Sequence, residues 1–391
     1  MWWEYFCLIG VTWSIIQYGF LYLLLTLGFK KHGRDSGRGD ISRADEKRQG
    51  GFEKEEYEGQ NDWPSVAVLV PARNEESVLS DCLRSFEELD YPEDKITFFL
   101  ADDQSEDSTG SIIETWVRGG ANRQQIKVIP AKDPGINGKA NALAQMVDRT
   151  DAGFLLFTDA DCKVPATWVK SMVGACGPAC GVVTGMTKVE AKEFLGRMQA
   201  LDWWLTLGLV KVTSDLGFSL TAMGNNMLVS REAYKAAGGF DRVKHHLTED
   251  LALSAAISGK GYHPIHHVDR SCLVTTQPQK SFSELMGQRK RWVDGVFLLP
   301  LYWQALLMVQ VGFYPVLIAL MVAMPLTGLL LWMAKLSLQS VFIVTFASKV
   351  ETKIPALDLL SFEFYYCCTS WSTVGYYFWP GKTNWKKRKY G

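Results

Sequence analysis

The hydrophobic positions of this chain form two apolar terminal regions and a central part in which short apolar runs alternate with helical stripes. No charged residue lies between Glu4 and Lys30, and none lies from residue 295 to residue 334. A helix of about 25 residues is ~37 Å long, which is enough to cross a bilayer. The pattern predicts a membrane protein with a large soluble insert.

The first apolar region, residues 1–29, is interpreted as a retained transmembrane helix. A secretory signal begins with basic residues and ends at a small-residue cleavage site, whereas the first charged residue here is Glu4 and the region runs into Lys30 and Lys31. A buried core helix is the alternative interpretation. By the positive-inside rule, these lysines predict that the insert lies on the cytoplasmic face.

The second membrane region is predicted at residues 295–381. Pro300, Pro315 and Pro325 are the expected helix breaks, and Lys335 separates the long apolar run from a shorter one. The apolar lengths fit two or three spans, with or without an interfacial helix.

Two polar segments flank these regions. Residues 30–62 are rich in charges and glycine and have few aliphatic side chains, which predicts a flexible tether, with a charged interaction tail as the alternative. Residues 382–391 form a basic tail. If this tail is cytoplasmic, the number of spans after the insert is even, which favours two.

The soluble insert, residues 63–294, alternates β-rich runs with helical stripes. Strands are predicted at 66–70, 96–100, 126–129 and 154–157, and helices at 76–89, 108–117 and 138–147. Strands and helices in this order predict an α/β fold with a mostly parallel sheet and helices on both faces.

A short segment that carries polar side chains follows each predicted strand. These segments contain Pro71, Arg73 and Glu75, then Asp102 and Asp103, then Gly138 and Lys139, and finally Asp159 and Asp161. In an open parallel sheet, ligands bind at the carboxyl ends of the strands. Four polar clusters are therefore expected at one edge of the sheet, where they predict a ligand site.

The glycine patterns of dinucleotide-binding and P-loop proteins are missing from the sequence. Asp159 and Asp161, two residues apart at a strand end, point to the same side and could hold a hard divalent cation. A strand-end turn is the alternative for such a pair taken alone. Lys139, at a predicted helix N-terminus, could add a positive contact to the phosphates that such a cation bridges.

Two later segments also carry candidate chemistry. Thr248 is a predicted N-cap, and Asp250 in the first helical turn is either a capping carboxylate or a base at the mouth of the cleft. Gln288, Arg291 and Trp292 share one face of a predicted helix at 281–294 and could clamp a phosphate and stack on a ring. The neighbouring Arg289 and Lys290 better fit a basic girdle before the membrane.

Charge and cysteine content narrow the choice of function. The 41 Lys and Arg residues and 42 Asp and Glu residues give a net charge of −1, so no global basic field is present to bind nucleic acid. The eight cysteines do not form a metal-binding or redox motif, which fits a reducing cytosolic face. His263, His266 and His267 lie on a predicted strand with no matching Cys or His pair nearby, so structural roles are favoured over a metal site.

Taken in order, these motifs resemble the family-2 inverting glycosyltransferases of GT-A fold, especially the membrane-bound ceramide glucosyltransferase-like enzymes and the polysaccharide synthases of the cellulose and hyaluronan type. The resemblance covers roughly residues 63–294. It is carried by Val-Pro-Ala-Arg-Asn-Glu at 70–75, Asp-Asp-Gln-Ser at 102–105, Gly-Lys-Ala-Asn-Ala-Leu at 138–143, Asp-Ala-Asp at 159–161, Gly-Gly-Phe at 238–240, Thr-Glu-Asp at 248–250 and Gln-Arg-Lys-Arg-Trp at 288–292.

The resemblance implies a site for a UDP-sugar donor. Asp103 would hold the uracil or ribose, and Pro71, Arg73 and Glu75 would line the same pocket. Asp159 would contact the ribose or the sugar.

The resemblance also implies the groups that act in the reaction. Asp161 would ligate Mg²⁺ or Mn²⁺, and Asp250 would be the general base that deprotonates an acceptor hydroxyl. Gln288, Arg291 and Trp292 would close over the diphosphate and the acceptor channel. The expected reaction is a metal-dependent, inverting transfer to a membrane lipid on the cytoplasmic face, which gives a β-glycoside. A processive polysaccharide synthase and an inactive membrane scaffold are the alternatives.

Overall fold

The structure, a computed structural model, describes residues 2–32, 63–133, 135–177, 179–218, 221–243, 245–379, 383–385 and 388–390. Most of the tether expected at 30–62 and part of the basic tail expected at 382–391 lie outside the described residues. The domain boundaries given above therefore stay predictions.

The soluble part is built around one mixed sheet. The strands before residue 277 are β1 (Val66–Ala72), β2 (Ile96–Asp102), β3 (Arg123–Lys127), β4 (Phe154–Thr158), β5 (Cys180–Thr184), β6 (Thr187–Val189), β7 (Asn226–Ser230), β8 (His263–His266) and β9 (Val274–Thr276). The central sheet has the order β3-β2-β1-β4-β7-β5-β8, and β6 pairs with β9 in a separate small sheet.

Most pairs of neighbouring strands are parallel. Only β7 runs against its neighbours β4 and β5 within the central sheet of the described chain. The predicted mostly parallel sheet is therefore confirmed. Such a sheet is covered on both faces, and this explains why β1 is apolar and buried from Val66 to Val70 without alternation.

Helices cover the sheet and extend from it into an apolar bundle. Their bounds are α1 (Trp2–Leu27), α2 (Leu79–Glu87), α3 (Thr109–Arg118), α4 (Gly138–Val147), α5 (Trp168–Ala175), α6 (Phe194–Asp215), α7 (Arg231–Ala237), α8 (Gly239–Val243), α9 (Glu249–Ser258), α10 (Phe282–Val296), α11 (Leu301–Ala323), α12 (Pro325–Ser348) and α13 (Ala356–Phe378). A short hairpin, β10 (Thr383–Trp385) and β11 (Arg388–Tyr390), follows the last helix.

Two buried clusters form the core of the soluble part, one on each face of the sheet. The larger one packs α2, α5 and α6 against the sheet around Trp168 and Phe98. The other packs α4, α8 and α9 around Phe157 and Phe240. Because α4 and α9 lie on the same face, their N-termini can meet at the carboxyl edge of the sheet.

The described chain has three helices that are long and apolar enough to cross a membrane: α1 from Cys7 to Leu27, α11 and α12. Pro300 precedes α11 and Pro325 opens α12, as expected, but Pro315 lies inside α11 and does not end it. Lys335, which separates two apolar runs in the sequence, lies in the middle of α12.

Lys335 fits inside an apolar helix because its charge is paired there. Its Nζ lies 2.5 Å from Oε2 of Glu363 on α13 and 2.9 Å from the hydroxyl of Tyr314 on α11. The rings of Tyr18 and Tyr366 also face the ammonium group. Ionisable residues inside apolar bundles are usually paired in this way.

The ends of α1 and α12 meet beside the soluble part. Nζ of Lys349 lies 4.6 Å from the ring centroid of Phe29, and the backbone N–H of Lys30 donates to Asp215 on α6. The basic residues after these two helices are therefore on the same side as the sheet.

Candidate functional site

The loops after β1 and β2 are locked together. Nη1 of Arg73 donates to the carbonyl oxygens of Asp103 and Gln104, at 2.5 and 3.1 Å. The N–H of Asp103 donates to the carbonyl of Ala72, and Asp103 is only 3 % exposed. Arg73 therefore fixes the backbone of the loop that carries the predicted nucleotide-binding aspartate.

Both loops turn through left-handed backbone. Asn74 has φ of 54° and Gln104 has φ of 60°, values that side-chain-bearing residues rarely adopt. Oδ1 of Asn74 accepts from the N–H of Glu106, and the N–H of Asn74 donates to Ser105. Such strained positions persist only when neighbouring contacts hold them, and they cluster at functional sites.

Pro71 and Glu75 lie on either side of Arg73. Pro71 is the sixth residue of β1 and pairs in register with Ala101 of β2, beyond the last β1 residue that pairs with β4. A proline without an N–H is tolerated there because no ladder bond to β4 is needed. The N–H of Glu75 donates to Thr109 at the start of α3.

Asp159 and Asp161 follow β4, next to the end of β1 in the sheet. Oγ1 of Thr158 donates to the carbonyl of Asn225, which ties the end of β4 to the loop before β7. Sγ of Cys162 lies 3.5 Å from Oδ1 of Asp161. Asp103 and Asp161 therefore lie at the same edge of the sheet, with β1 between them.

Lys139 joins this edge to α9. Its Nζ lies 2.6 Å from Oδ1 of Asp159 and 3.3 Å from Oε1 of Glu249. Asn137 caps α4 by accepting from the N–H of Lys139, and its amide donates to Oε2 of Glu249 and to the carbonyl of His246. Lys139 lies at a helix N-terminus as expected, but its ammonium group binds carboxylates of the protein itself.

The charges around Lys139 hold it in the ammonium form. Burial works against that form, but Asp159, Glu249 and Asp250 outweigh it and raise the pKa of Lys139 well above its ordinary value. The lysine is therefore a fixed positive charge at the centre of three carboxylates.

Asp250 is a half-buried carboxyl at the start of α9. Burial, and then the charge of Glu249, raise its pKa to about 6, against the opposing effects of Lys139 and of two backbone N–H groups. These N–H groups belong to Gly224 and Leu251, and both donate at 2.8 Å. A carboxyl with a pKa near neutrality is suited to accept a proton at physiological pH.

The surroundings of Asp250 leave little space. A Cβ on Gly224 would lie 3.0 Å from Oδ2 of Asp250, and a Cβ on Gly295 of α10 would lie 3.0 Å from Oγ1 of Thr248. Thr248 occupies the N-cap position of α9, as predicted, but its hydroxyl makes no capping hydrogen bond. The glycines let the 224 loop and α10 approach the start of α9.

Helix α10 presents two faces. Gln288, Arg291 and Gly295 are spaced i, i+3 and i+7, so they share the face that meets Thr248 on α9. Trp292 packs edge-on against Trp203 of α6, with ring centroids 6.1 Å apart. The predicted acceptor-side residues are therefore divided between the α9 and α6 sides of the helix.

Arg289 is not part of an exposed basic girdle, as the sequence had suggested. Its guanidinium forms an ion pair with Asp202 of α6, and their side chains are 12 % and 13 % exposed. Lys290, by contrast, contacts the carbonyl of Trp379 and the ring of Tyr376 on α13.

The candidate histidines make protein contacts. Nδ1 of His266 lies 2.9 Å from Oγ1 of Thr184, and Nε2 of His267 lies 2.9 Å from Oγ of Ser171. Burial lowers the pKa of His266 to about 3 and that of His267 to about 4. Both rings are therefore neutral parts of the packing between β8, β5 and α5.

The donor set suits a cation that arrives with a diphosphate. Within the described residues, no group of three or more His, Cys, Asp or Glu side chains could enclose a metal. Mg²⁺ and similar ions are often held by one or two carboxylates while substrate phosphates and water complete the coordination. Asp161 fits that arrangement, and so does Asp159, whose Oδ1 also contacts Lys139.

Three further residues shape the site although the sequence motifs did not single them out. They are Asn137, Gly224 and Asn226. The buried amide of Asn226 accepts from the Trp168 indole and donates to the carbonyl of Met186, which anchors the loop that carries Gly224. The Asn137-Gly138-Lys139 and Gly224-Asn225-Asn226 runs were the available signals.

Comparison with known proteins places this geometry in a family. Beta-monoglucosyldiacylglycerol synthase from Synechocystis sp. is 28 % identical over 254 residues, which cover 62 % of this chain and 50 % of that protein. Poly-beta-1,6-N-acetyl-D-glucosamine synthase from Staphylococcus epidermidis is 27 % identical over 235 residues, covering 59 % of this chain and 54 % of that one. The chain thus spans about half the length of these curated relatives.

A solved structure has the same fold over nearly the whole chain. A mannosyltransferase from Pyrobaculum calidifontis, determined with GDP-Man and Mn²⁺, superposes with a TM-score of 0.57 at 16 % identity and covers 96 % of this chain and 99 % of that one. The GT-A fold expected from the motifs is confirmed. The family model described as glycosyl transferase family 21 matches residues 11–390. The chain therefore belongs to glycosyl transferase family 21.

Proposed function

We propose that this protein transfers one sugar from a UDP-sugar to a hydroxyl of a membrane lipid, with inversion, to give a β-glycoside. Asp250 acts as the general base, and Mg²⁺ or Mn²⁺ assists departure of UDP. The observation that carries the proposal is the half-buried Asp250 carboxyl, with a pKa of about 6, which lies in the field of Lys139, the partner of Asp159 at the end of β4.

The donor site is proposed at the ends of β1 and β2. Arg73 fixes the carbonyls around Asp103, so the carboxylate of Asp103 has a defined place to accept from the uracil or ribose. Pro71 and Glu75 line the same pocket, and Asp159 contacts the ribose or the sugar. Lys139, held by Asp159, gives this side of the pocket a fixed positive charge towards the diphosphate.

The metal is proposed at Asp161. When bound, the cation offsets the negative charge that develops on the leaving diphosphate. Asp161 supplies the carboxylate for it, while Lys139 neutralises part of the charge of Asp159. Arg291 and Gln288, on the α10 face that meets α9, add hydrogen-bond donors on the acceptor side of the same phosphates.

The chemistry needs one displacement. Asp250 accepts the proton of the lipid hydroxyl as its oxygen bonds to the anomeric carbon, and the bond from that carbon to UDP breaks on the opposite face. One displacement inverts the configuration, so an α-linked donor yields a β-glycoside. The N–H groups of Gly224 and Leu251 hold the carboxylate in one orientation for this step.

A lipid acceptor is supported by where the site lies. Helix α10, which carries the acceptor-side residues, is followed directly by α11, an apolar helix long enough to span a bilayer. A relative at 28 % identity is described as a glucosyldiacylglycerol synthase. A lipid head group could therefore reach Asp250 from the membrane surface.

We also propose that the sheet lies on the cytoplasmic face. Lys30, Lys31 and Lys349 all follow apolar helices at the end where those helices meet the soluble part. Positive residues flank the cytoplasmic ends of membrane helices.

A processive polysaccharide synthase is the second candidate, because a relative at 27 % identity makes a polymer according to its name. A growing polymer needs a channel through the membrane, and α1, α11 and α12 are few helices to build one. An inactive scaffold is the remaining alternative.

An assay with purified protein, Mn²⁺ and a lipid acceptor tests these candidates. The donors offered are UDP-glucose, UDP-galactose, UDP-N-acetylglucosamine and GDP-mannose. We expect acceptor-dependent release of UDP from one UDP-sugar and label that partitions into the organic phase. Label in a polymer supports the synthase. Release of GDP alone contradicts the proposal that the donor is a UDP-sugar. Release of no nucleotide supports the inactive scaffold.

A further inference from the structure

The acceptor-side helix α10 is held by a buried ion pair that its motif does not explain. Asp202 of α6 and Arg289 of α10 pair through their charged groups, and both side chains are nearly buried. Burial works against the charged form of Arg289, but Asp202 together with Tyr365 and Tyr366 outweighs it and raises the pKa of the guanidinium. Two charges withdrawn from water in this way are costly unless they stay paired.

The same face of α10 makes a second contact with α6. Trp203, the residue after Asp202, packs edge-on against Trp292, the residue one turn after Arg289. The ion pair and the ring contact therefore fix one side of α10. On the side that faces α9, Gly295 allows α10 to lie close to Thr248, where a Cβ would lie only 3.0 Å from Oγ1 of Thr248.

These contacts, together with those of Lys290 with α13, restrict the rotation of α10 about its axis. Consecutive residues on a helix are ~100° apart, so a small rotation moves Gln288 and Arg291 away from α9. Tyr365 of α13 lies beside the same guanidinium and also helps to hold its charge. The pair is therefore enclosed between the soluble part and α13.

We propose that Asp202 and Arg289 are positioning residues that hold α10 in the rotation where Gln288 and Arg291 face the start of α9. This inference rests on the proposed function, because it assigns those two residues to the acceptor side of the transfer. It predicts that the pair affects acceptor use and turnover without affecting nucleotide binding at the ends of β1 and β2.

The chain offers a matched control. Arg197 of α6 pairs with Asp358 of α13, with Nε 3.1 Å from Oδ2, and this pair also joins the soluble part to α13. It does not include a residue of α10. Loss of the second pair should therefore remove an ion pair of α6 without removing a contact of α10.

The test compares Asp202→Asn, Arg289→Lys and Asp358→Asn in the full-length protein. Asp202→Asn removes the charge with little change of shape, and Arg289→Lys keeps the charge but loses the planar fork. We expect kcat divided by the KM for the lipid to fall about 10-fold or more in the first two variants, as misplaced reacting groups do. The Kd for UDP of all three variants should stay within about 2-fold of wild type, a factor worth less than 0.5 kcal/mol in binding. The kcat/KM of Asp358→Asn should also stay within about 2-fold of wild type.

Hydrogen–deuterium exchange provides a readout that does not need activity. The amides of residues 282–296 should exchange faster in Asp202→Asn than in wild type or in Asp358→Asn, while those of β1 and β4 stay unchanged. If wild type transfers no sugar, the proposed function fails, but exchange still tests the positioning role. Unchanged exchange in α10, or equal kinetic losses in Asp202→Asn and Asp358→Asn, would overturn the inference.

Discussion

Lys139 and Asp159 form an ion pair in which Nζ lies 2.6 Å from Oδ1, and this contact joins the N-terminus of α4 to the carboxyl end of β4. The same ammonium contacts Glu249 at the start of α9, next to Asp250. The donor edge of the sheet and the proposed base are therefore connected through one half-buried cation.

Loss of the proposed base should stop turnover without loss of donor binding. For Asp250→Asn we expect kcat to fall about 10³-fold, within the range that general base catalysis contributes. UDP affinity, measured by calorimetry, should stay unchanged because the nucleotide site is formed by other loops. Asp241→Asn, an exposed carboxylate on α8, is the control. Loss of UDP binding in Asp250→Asn would remove this residue from the base role.

The pH dependence should report the raised pKa of Asp250. The carboxylate accepts the proton, so kcat/KM should be constant above about pH 7 and should fall as the pH drops through the pKa of about 6. Glu249 raises this pKa, so Glu249→Gln should move the acid limb to lower pH. A limb that stays in place, or moves to higher pH, would contradict the electrostatic coupling of the two carboxylates.

Removal of the central cation should cost both stability and activity. Lys139→Met leaves Asp159, Glu249 and Asp250 without their shared positive charge, and breaking a buried ion pair typically costs about 3 kcal/mol. Thermal unfolding should therefore shift to lower temperature, and Lys139→Met with Glu249→Gln should lose less than the single losses combined. Lys235→Met, at an exposed position of α7, should unfold like wild type. An unchanged unfolding temperature for Lys139→Met contradicts the network.

Chelation should test the metal. EDTA should abolish transfer, and Mn²⁺ should restore it, because a divalent cation offsets charge on the departing diphosphate. Asp161→Asn should raise the Mn²⁺ concentration that gives half-maximal activity. Asp81→Asn, which removes a carboxylate that pairs with Lys163, should not change it. Full activity after chelation would exclude the metal assignment.

Local patterns predicted the elements that the sheet requires. The helix at 138–147 has the expected bounds, and β1, β2 and β4 begin at the predicted residues. These elements could be predicted because the spacing of apolar residues and the polar residues at strand ends are local features of the sequence. Helix α2 begins three residues later than expected, since the backbone from Glu75 to Val78 forms turns first.

Residues whose roles depend on distant partners were harder to predict. The role of Lys335 could not be predicted from neighbouring residues because its partner Glu363 is 28 residues away. Arg289 looked like a surface charge because Asp202 is distant in sequence, and Lys139 looked free to bind phosphate because its carboxylate partners lie on β4 and α9. In each case burial and pairing, which local sequence does not report, determine what the charge does.

The most direct test of the central claim is the structure of the product made from the preferred UDP-sugar and a lipid acceptor. Mass spectrometry and the anomeric proton coupling should show one sugar per lipid in β linkage, produced by wild type and not by Asp250→Asn. An α-linked product, a polymer, or equal product from Asp250→Asn would contradict a single displacement driven by that carboxylate.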